Sequence, residues 1–160
     1  MGAGYHGGFG NTSGAAPGDV VYQSSQLEYF NYIAKRKDVD PSGMFDVVAH
    51  GAVNAIQIEH NNRIERIDHR TLVNLLKHNK QYGVGQVIRL LSCNTGASTK
   101  SFAQNLANKL NVIVMAPTKL VWAYPDGRHI VASRDPNNPR FPNLNDLGKF
   151  EYFYPRGKKK

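Results

Sequence analysis

Two short apolar runs, each stopping at a turn that opens on a reactive side chain, constrain this chain more than anything else in it. Phe45-Asp46-Val47-Val48-Ala49 leads into His50-Gly51, and Val87-Ile88-Arg89-Leu90-Leu91 leads into Ser92-Cys93-Asn94-Thr95-Gly96. Five-residue runs rich in β-branched and aliphatic side chains read as strands buried on both faces, the pattern of a parallel sheet. In open α/β sheets ligands and chemistry collect at the carboxyl ends of the strands. Here those ends carry an imidazole and the only cysteine of the 160-residue chain.

The rest of the pattern alternates helices with strands. A first helix is expected over residues 26–35, with Leu27, Phe30 and Ile33 or Ala34 on one face, then a turn at Pro41-Ser42-Gly43. Residues 55–59 and 63–67 alternate with period two around His60-Asn61-Asn62, a hairpin signal. Asp68 is a plausible N-cap for a helix through His78, with Leu72, Val73, Leu75 and Leu76 as its apolar stripe. A further helix is expected from about Thr99, a strand over residues 111–116 closed by Pro117, and a second hairpin flanking Pro125-Asp126-Gly127. Pro136, Pro139, Pro142 and Pro155 make the last stretch read as irregular. These elements imply an α/β fold: a three-layer sandwich around a mostly parallel sheet, mixed at its edges by the hairpins.

Cys93 is a candidate nucleophile. A cysteine thiol titrates near ~8.5, and a neighbouring imidazole together with the N-terminus of a following helix is the usual means of lowering that value. The small residues from Asn94 to Ser98 leave room for a substrate and supply backbone N–H groups. His50 is the candidate acid or base, and Gly51 permits close backbone approach. Asp46 lies four residues before His50, on the same face of a strand, either to orient the imidazole or as a satisfied polar residue. Trp122, Tyr124 and Asp126 are candidate walls of a substrate groove, with core packing the competing reading for Trp122. No pair among His60, His69, His78 and His129 has metal-ligand spacing with carboxylates, so no catalytic metal is expected. No other cofactor is expected either.

A single cysteine excludes an internal disulfide and suits a reducing compartment. No apolar stretch has the length of a membrane span. The net charge of +8, of which Lys158, Lys159 and Lys160 supply three, suits an anionic partner or simply a soluble tail. Such a partner would be a nucleic acid, an inositol phosphate acting as activator, or an acidic immunity protein. Residues 1–25 read as a Gly-rich lead-in, 26–155 as one domain, and 156–160 as a basic tail. A monomer is expected.

Base first, then a hairpin and helix, then nucleophile 43 residues later, resembles the caspase-like cysteine peptidases between Phe45 and Ala132. The resemblance implies a cysteine endopeptidase with catalytic His50 and Cys93, and an oxyanion hole from the backbone N–H groups of Gly51 and Cys93. It implies a protein or peptide substrate, and a groove flanked by Asn94 and residues 116–124, Thr118 among them. No acidic or arginine side chain stands out as the floor of a specificity pocket. The stretch Gly4-Tyr5-His6-Gly7-Gly8-Phe9-Gly10-Asn11-Thr12 is similar to junctions before C-terminal modules of bacterial polymorphic toxins. That implies a toxin, effector or self-processing domain of a secreted protein, acting in the cytoplasm of a target cell. Two other readings compete: a metal-independent ribonuclease using His60, Arg66, His69 or His129, and a non-catalytic binding module on a degenerate peptidase fold.

Overall fold

The computed structural model describes residues 31–33, 35–38, 44–60, 63–79 and 82–156. Most of the expected first helix, the lead-in, the turn at residues 41–43 and all of the tail beyond Arg156 lie outside the described residues. Residues 31–33 are helical.

A four-stranded sheet forms the centre. Its order is β1 (Met44–Val48), β5 (Val87–Leu91), β6 (Val114–Pro117) and β10 (Phe150–Phe153). The first three are parallel, while β10 runs antiparallel to β6. The architecture is therefore α/β with a mixed, mostly parallel central sheet, as the apolar runs require. The hairpins do not extend that sheet, contrary to expectation. β2 (His50–Gly51), β3 (Ile56–His60) and β4 (Arg63–Ile67) form one separate antiparallel sheet. β7 (Leu120–Ala123), β8 (His129–Asp135) and β9 (Asn138–Leu147) form another. The mixed character of the central sheet comes from β10, which the sequence did not suggest.

The connections decide which face each layer covers. Strand order advances in one direction from β1 to β5 to β6, so right-handed crossovers place both connecting helices on the same face. These are α1 (His69–Lys77) and α2 (Phe102–Leu110). Leu72, Leu76, Phe102 and Leu106 pack there against Phe45, Val47, Ile88, Leu90 and Val114. Burial of each large side chain stabilises the fold by about 1.5–3 kcal/mol. The opposite face is covered by the β7–β9 sheet and the helical residues 31–33. Ile33, Trp122 and Val121 pack there against Val48, Leu91 and Cys93.

Local chemistry sets the ends of the helices. The Asp68 carboxylate accepts the Thr71 N–H at 2.9 Å and caps α1 as expected. α2 begins at Phe102 rather than Thr99, because its first N–H groups are claimed by loops: Phe102 N–H donates to Val53 O and Ala103 N–H to Thr95 O. Asn111 ends α2 in the left-handed conformation, φ 60°, which Asn tolerates better than most residues. β6 consequently starts at Val114 and runs through Pro117.

The proline-rich end is the largest departure from expectation. Residues 138–147 form a ten-residue strand that holds Pro139 and Pro142. Proline lacks an N–H and is tolerated on an outer strand with interrupted pairing. β9 is the outer strand of its sheet, and its register with β8 is broken around Arg134.

Candidate functional site

β1 and β5 pair with an offset of 43 residues, Val48 opposite Leu91. His50 and Cys93 share that separation in sequence, each lying two residues beyond the end of its strand. The chain turns at Ala49, and His50 then pairs with Gln57 of β3. Gly51 lies directly on the end of β5. A Cβ there would sit 2.6 Å from Cys93 O, 2.7 Å from Ser92 C and 2.8 Å from Cys93 N. Only a residue without a side chain permits this backbone contact.

The backbone donors follow from the ladders. Ala52 N–H donates to Ala55 O at 2.9 Å, which makes that pair a hydrogen-bonded one. Alternation along an antiparallel ladder then turns the Gly51 N–H away from β3. The donors of the following loop are engaged: Asn94 N–H with Lys119 O, Gly96 N–H with Pro117 O and Ala97 N–H with Asn94 O. Asn94 is left-handed at φ 61°, and Thr95 Oγ1 donates to Ser92 O at 2.8 Å. These donors are thus spent partly within the turn and partly on the β6–β7 connection rather than left open.

The thiol faces the β7–β9 layer. Cys93 is 3% exposed, and its Sγ accepts the Val121 N–H at 3.3 Å. His50 is partly exposed. Val121 lies in β7. Lys119, two residues before Val121, is ion-paired to Asp146 of β9, whose carboxylate also accepts from Ser133 Oγ.

Asp46 has a different role from the orienting acid suggested by its position. Its carboxylate is clamped between two guanidiniums, accepting from Arg36 Nε at 2.9 Å and Nη2 at 2.7 Å, and from Arg89 Nε at 2.9 Å and Nη2 at 2.8 Å. Arg89 Nη1 continues to Asp38 at 2.7 Å, and Asp38 accepts from His129 Nε2 at 3.0 Å. Burial pushes the Asp38 carboxyl up, but the Arg89 and His129 contacts outweigh it and hold the pKa at about 2. Burial lowers His129, which Asp38 only partly offsets. Arg89 is desolvated, yet its two carboxylates raise its pKa further. Sequence reasoning missed this cluster, although the 43-residue offset places Asp46 opposite Arg89.

Trp122 is not a groove wall. It is 1% exposed and its indole N–H donates to Ala132 O at 2.9 Å, a core role. Tyr124 and Asp126 line a cavity of about 600 Å³ with Lys37, Asp38, Arg128 and His129 at the β7–β8 turn. Tyr124 is three strand residues beyond Val121, roughly 10 Å along the chain, so this cavity is separate from the thiol. Thr118 ties the ends of β6 and β10 together: its N–H donates to Lys149 O and its hydroxyl accepts from Lys149 N.

Among the described side chains, the candidate nuclease groups Arg66, His69 and His129 lie on β4, α1 and β8 respectively. Arg66 donates to Asn54, His129 is tied to Asp38, and His69 begins α1. The side chain of His60 lies outside the description. Among the described residues no three His, Cys, Asp or Glu side chains cluster as metal ligands, and no helix is long and apolar enough to cross a membrane.

Fold and site together define an α/β protein in which an imidazole and a thiol stand at the ends of two adjacent parallel strands. The chain belongs to the family described as domain of unknown function DUF8616, whose model matches residues 19–131 and so includes both groups. No curated protein and no solved structure matches the chain.

Proposed function

We propose that this chain is a cysteine peptidase of the caspase-like type, with Cys93 as nucleophile and His50 as acid and base. The observation that carries the reading is the seating of Gly51 on the Ser92–Cys93 peptide, with the preceding residue an imidazole and the Gly51 N–H turned away from β3. In the proposed reaction the Cys93 thiolate attacks a scissile carbonyl and the Gly51 N–H receives the developing oxyanion. His50 gives its proton to the leaving amine as the C–N bond breaks, and the acyl group stays on sulfur as a thioester. His50 then takes a proton from water, whose hydroxide oxygen displaces the thiol and releases the carboxylate product. Substrate entry displaces the Val121 N–H from the sulfur. The substrate is a protein or peptide, and the reading extends to a toxin, effector or self-processing role in a reducing compartment.

The test is covalent labelling by a peptidyl acyloxymethyl ketone, followed by intact mass. The native chain gains one adduct at Cys93. Cys93→Ala gains none, and His50→Ala reacts about 10²–10⁴-fold more slowly. Self-cleavage or peptide hydrolysis that persists in Cys93→Ala refutes the reading, as does a folded native chain that takes no label.

A further inference from the structure

The cavity of about 600 Å³ at the β7–β8 turn has no part in the proposed peptidase site. Lys37 and Asp38 supply one part of its lining, and the turn with the start of β8 supplies the rest. The two parts are fixed to each other. Gly127, at φ 96°, seats so closely on the Lys35–Arg36 peptide that a Cβ would clash with Lys35 O, Lys35 C and Arg36 N. The Asp38 carboxylate is held by Arg89 Nη1 at 2.7 Å and by His129 Nε2 at 3.0 Å. The cavity is therefore built before any ligand arrives, as small-molecule sites usually are.

Its lining carries both signs of charge, with bonding capacity to spare on each. Asp38 is half exposed, and its Oδ1 has only a 3.4 Å contact with Arg89 Nη2, so it can accept a further hydrogen bond. Arg128 Nε donates to Asp126 Oδ2 at 2.8 Å, and its guanidinium carbon stands 5.3 Å over the Tyr124 ring. Those contacts orient the guanidinium and leave Nη1 and Nη2 without an acceptor among the described residues. Lys37 forms no ion pair among the described residues. Tyr124 and Ile130 add an aromatic and an aliphatic surface.

Two cations with unused donors, a carboxylate with an unused lone pair and an apolar surface match a ligand made of the same three parts. We propose that this cavity binds an apolar α-amino acid as its zwitterion, with the carboxylate on Arg128 and Lys37, the ammonium on Asp38, and the side chain against Tyr124 and Ile130. The planar fork of an arginine fits a carboxylate in bidentate fashion. A polyanion would meet the carboxylates of Asp38 and Asp126. A polycation would meet Lys37, Arg128 and, behind Asp38, Arg89. A zwitterion leaves neither sign opposed. The inference does not depend on Cys93 and stands whether or not the chain is a peptidase.

The experiment is calorimetric and amide-resolved NMR titration of the full chain with L-phenylalanine. L-phenylalaninamide lacks the carboxylate, N-acetyl-L-phenylalanine lacks the ammonium, and glycine lacks the apolar group. L-phenylalanine binds with a dissociation constant of about 10⁻⁵–10⁻³ M, the range open to a ligand of about twelve heavy atoms, and shifts the amides of Gly127 and Ile130. The amide and the N-acetyl form each bind about 10-fold or more weakly, because each leaves a charged group of the site unmatched. Glycine is weaker by about 10-fold or more through lost apolar contact. Arg128→Gln and Tyr124→Ala keep native circular dichroism and weaken binding of L-phenylalanine by about 5- to 50-fold, while Cys93→Ala keeps the native affinity. No amide shift at about 10 mM L-phenylalanine overturns the proposal, as does unchanged affinity in folded Arg128→Gln. Equal binding of the amide or of the N-acetyl form also overturns it, in favour of a site for one sign of charge. Shifts confined to residues remote from the cavity place the ligand elsewhere and overturn it too.

Discussion

Replacing Gly51 with alanine tests the geometry on which the candidate site rests. The new methyl group would lie 2.6–2.8 Å from three backbone atoms of Ser92 and Cys93. Backbone atoms cannot swing aside as a side-chain tip does. Ordinary carbon contacts lie at about 3.5–4.0 Å, so the ends of β2 and β5 must part by about 1 Å. Over-packing of this kind costs about 1–3 kcal/mol. Alanine's stiffer unfolded chain offsets about 0.4–1 kcal/mol of that. The net loss is about 1 kcal/mol, or about 2–4 °C in Tm for a chain of this size. A shift of about 1 Å between reacting groups also slows chemistry by about 10²-fold. Thermal unfolding and the rate of acyloxymethyl ketone labelling measure the two effects on one sample. Gly83→Ala is the control, since a Cβ there meets only Gln86 Oε1 at 3.5 Å, and its melting curve should match the native one. A Gly51→Ala protein that melts and labels like the native chain would refute the strand-end contact and, with it, the proposed pairing of His50 with Cys93.

Three further outcomes follow from the structure. Asp46→Ala leaves the guanidiniums of Arg36 and Arg89 buried without their shared carboxylate, and should cost about 3–5 kcal/mol in urea unfolding; a loss below about 1 kcal/mol contradicts the cluster. The pKa of His129 is lowered by burial, so the unfolded chain binds that proton more readily. The associated stability is complete above about pH 6.5 and is lost as pH falls through the folded value. Asp38, lowered to about 2, has the same sign, and its contribution disappears between about pH 4 and 2. The urea midpoint should therefore fall between pH 7.5 and 5, and fall less in His129→Gln, with a remainder from His69, which burial also lowers; a flat native profile rules this out. At Asn94, φ 61°, substitution by valine should cost about 1–2 kcal/mol while glycine is tolerated, and equal melting temperatures for the two variants would count against the left-handed turn.

Much of the frame was legible in the sequence because burial writes itself as apolar runs. The central strands, the first hairpin and the capped helix α1 all stand where periodicity and the Asp68 signal put them. What escaped were features set by partners distant in the chain. β10 reads as tail because Phe150 to Phe153 sits between Pro136, Pro139 and Pro142 on one side and Pro155 on the other, yet it completes the sheet against β6. β9 escaped for the converse reason, since a local rule about proline yields on an outer strand. Among the candidate residues, His50, Gly51, Cys93 and Asn94 gather at one pair of strand ends. Asp46, Trp122, Tyr124 and Asp126 do not join them, because alternation along one strand says which face a residue takes and not which long side chain reaches it. Arg36, ten residues upstream of Asp46, left no local sign of its contact.

The charged cluster and the candidate dyad are linked through the register of β1 and β5. Phe-Asp-Val-Val and Val-Ile-Arg-Leu-Leu are apolar on both faces, so hydrophobic burial alone distinguishes poorly between neighbouring registers. A one-residue slip would tear Asp46 from Arg89 inside the fold, and it would equally shift Gly51 off the Ser92–Cys93 peptide. Buried ion pairs are weak sources of net stability, and their best-attested use is to specify register. Replacing Arg36, Asp46 and Arg89 together with Met, Val and Leu should therefore leave global stability unchanged or about 1–4 kcal/mol higher. The expected loss is in uniqueness: Cys93 labelling slows and becomes multiphasic as registers mix. If that triple variant is stable and labels with the native single-phase rate, the apolar pattern alone sets the register, and the cluster has no part in seating Gly51 on the Ser92–Cys93 peptide.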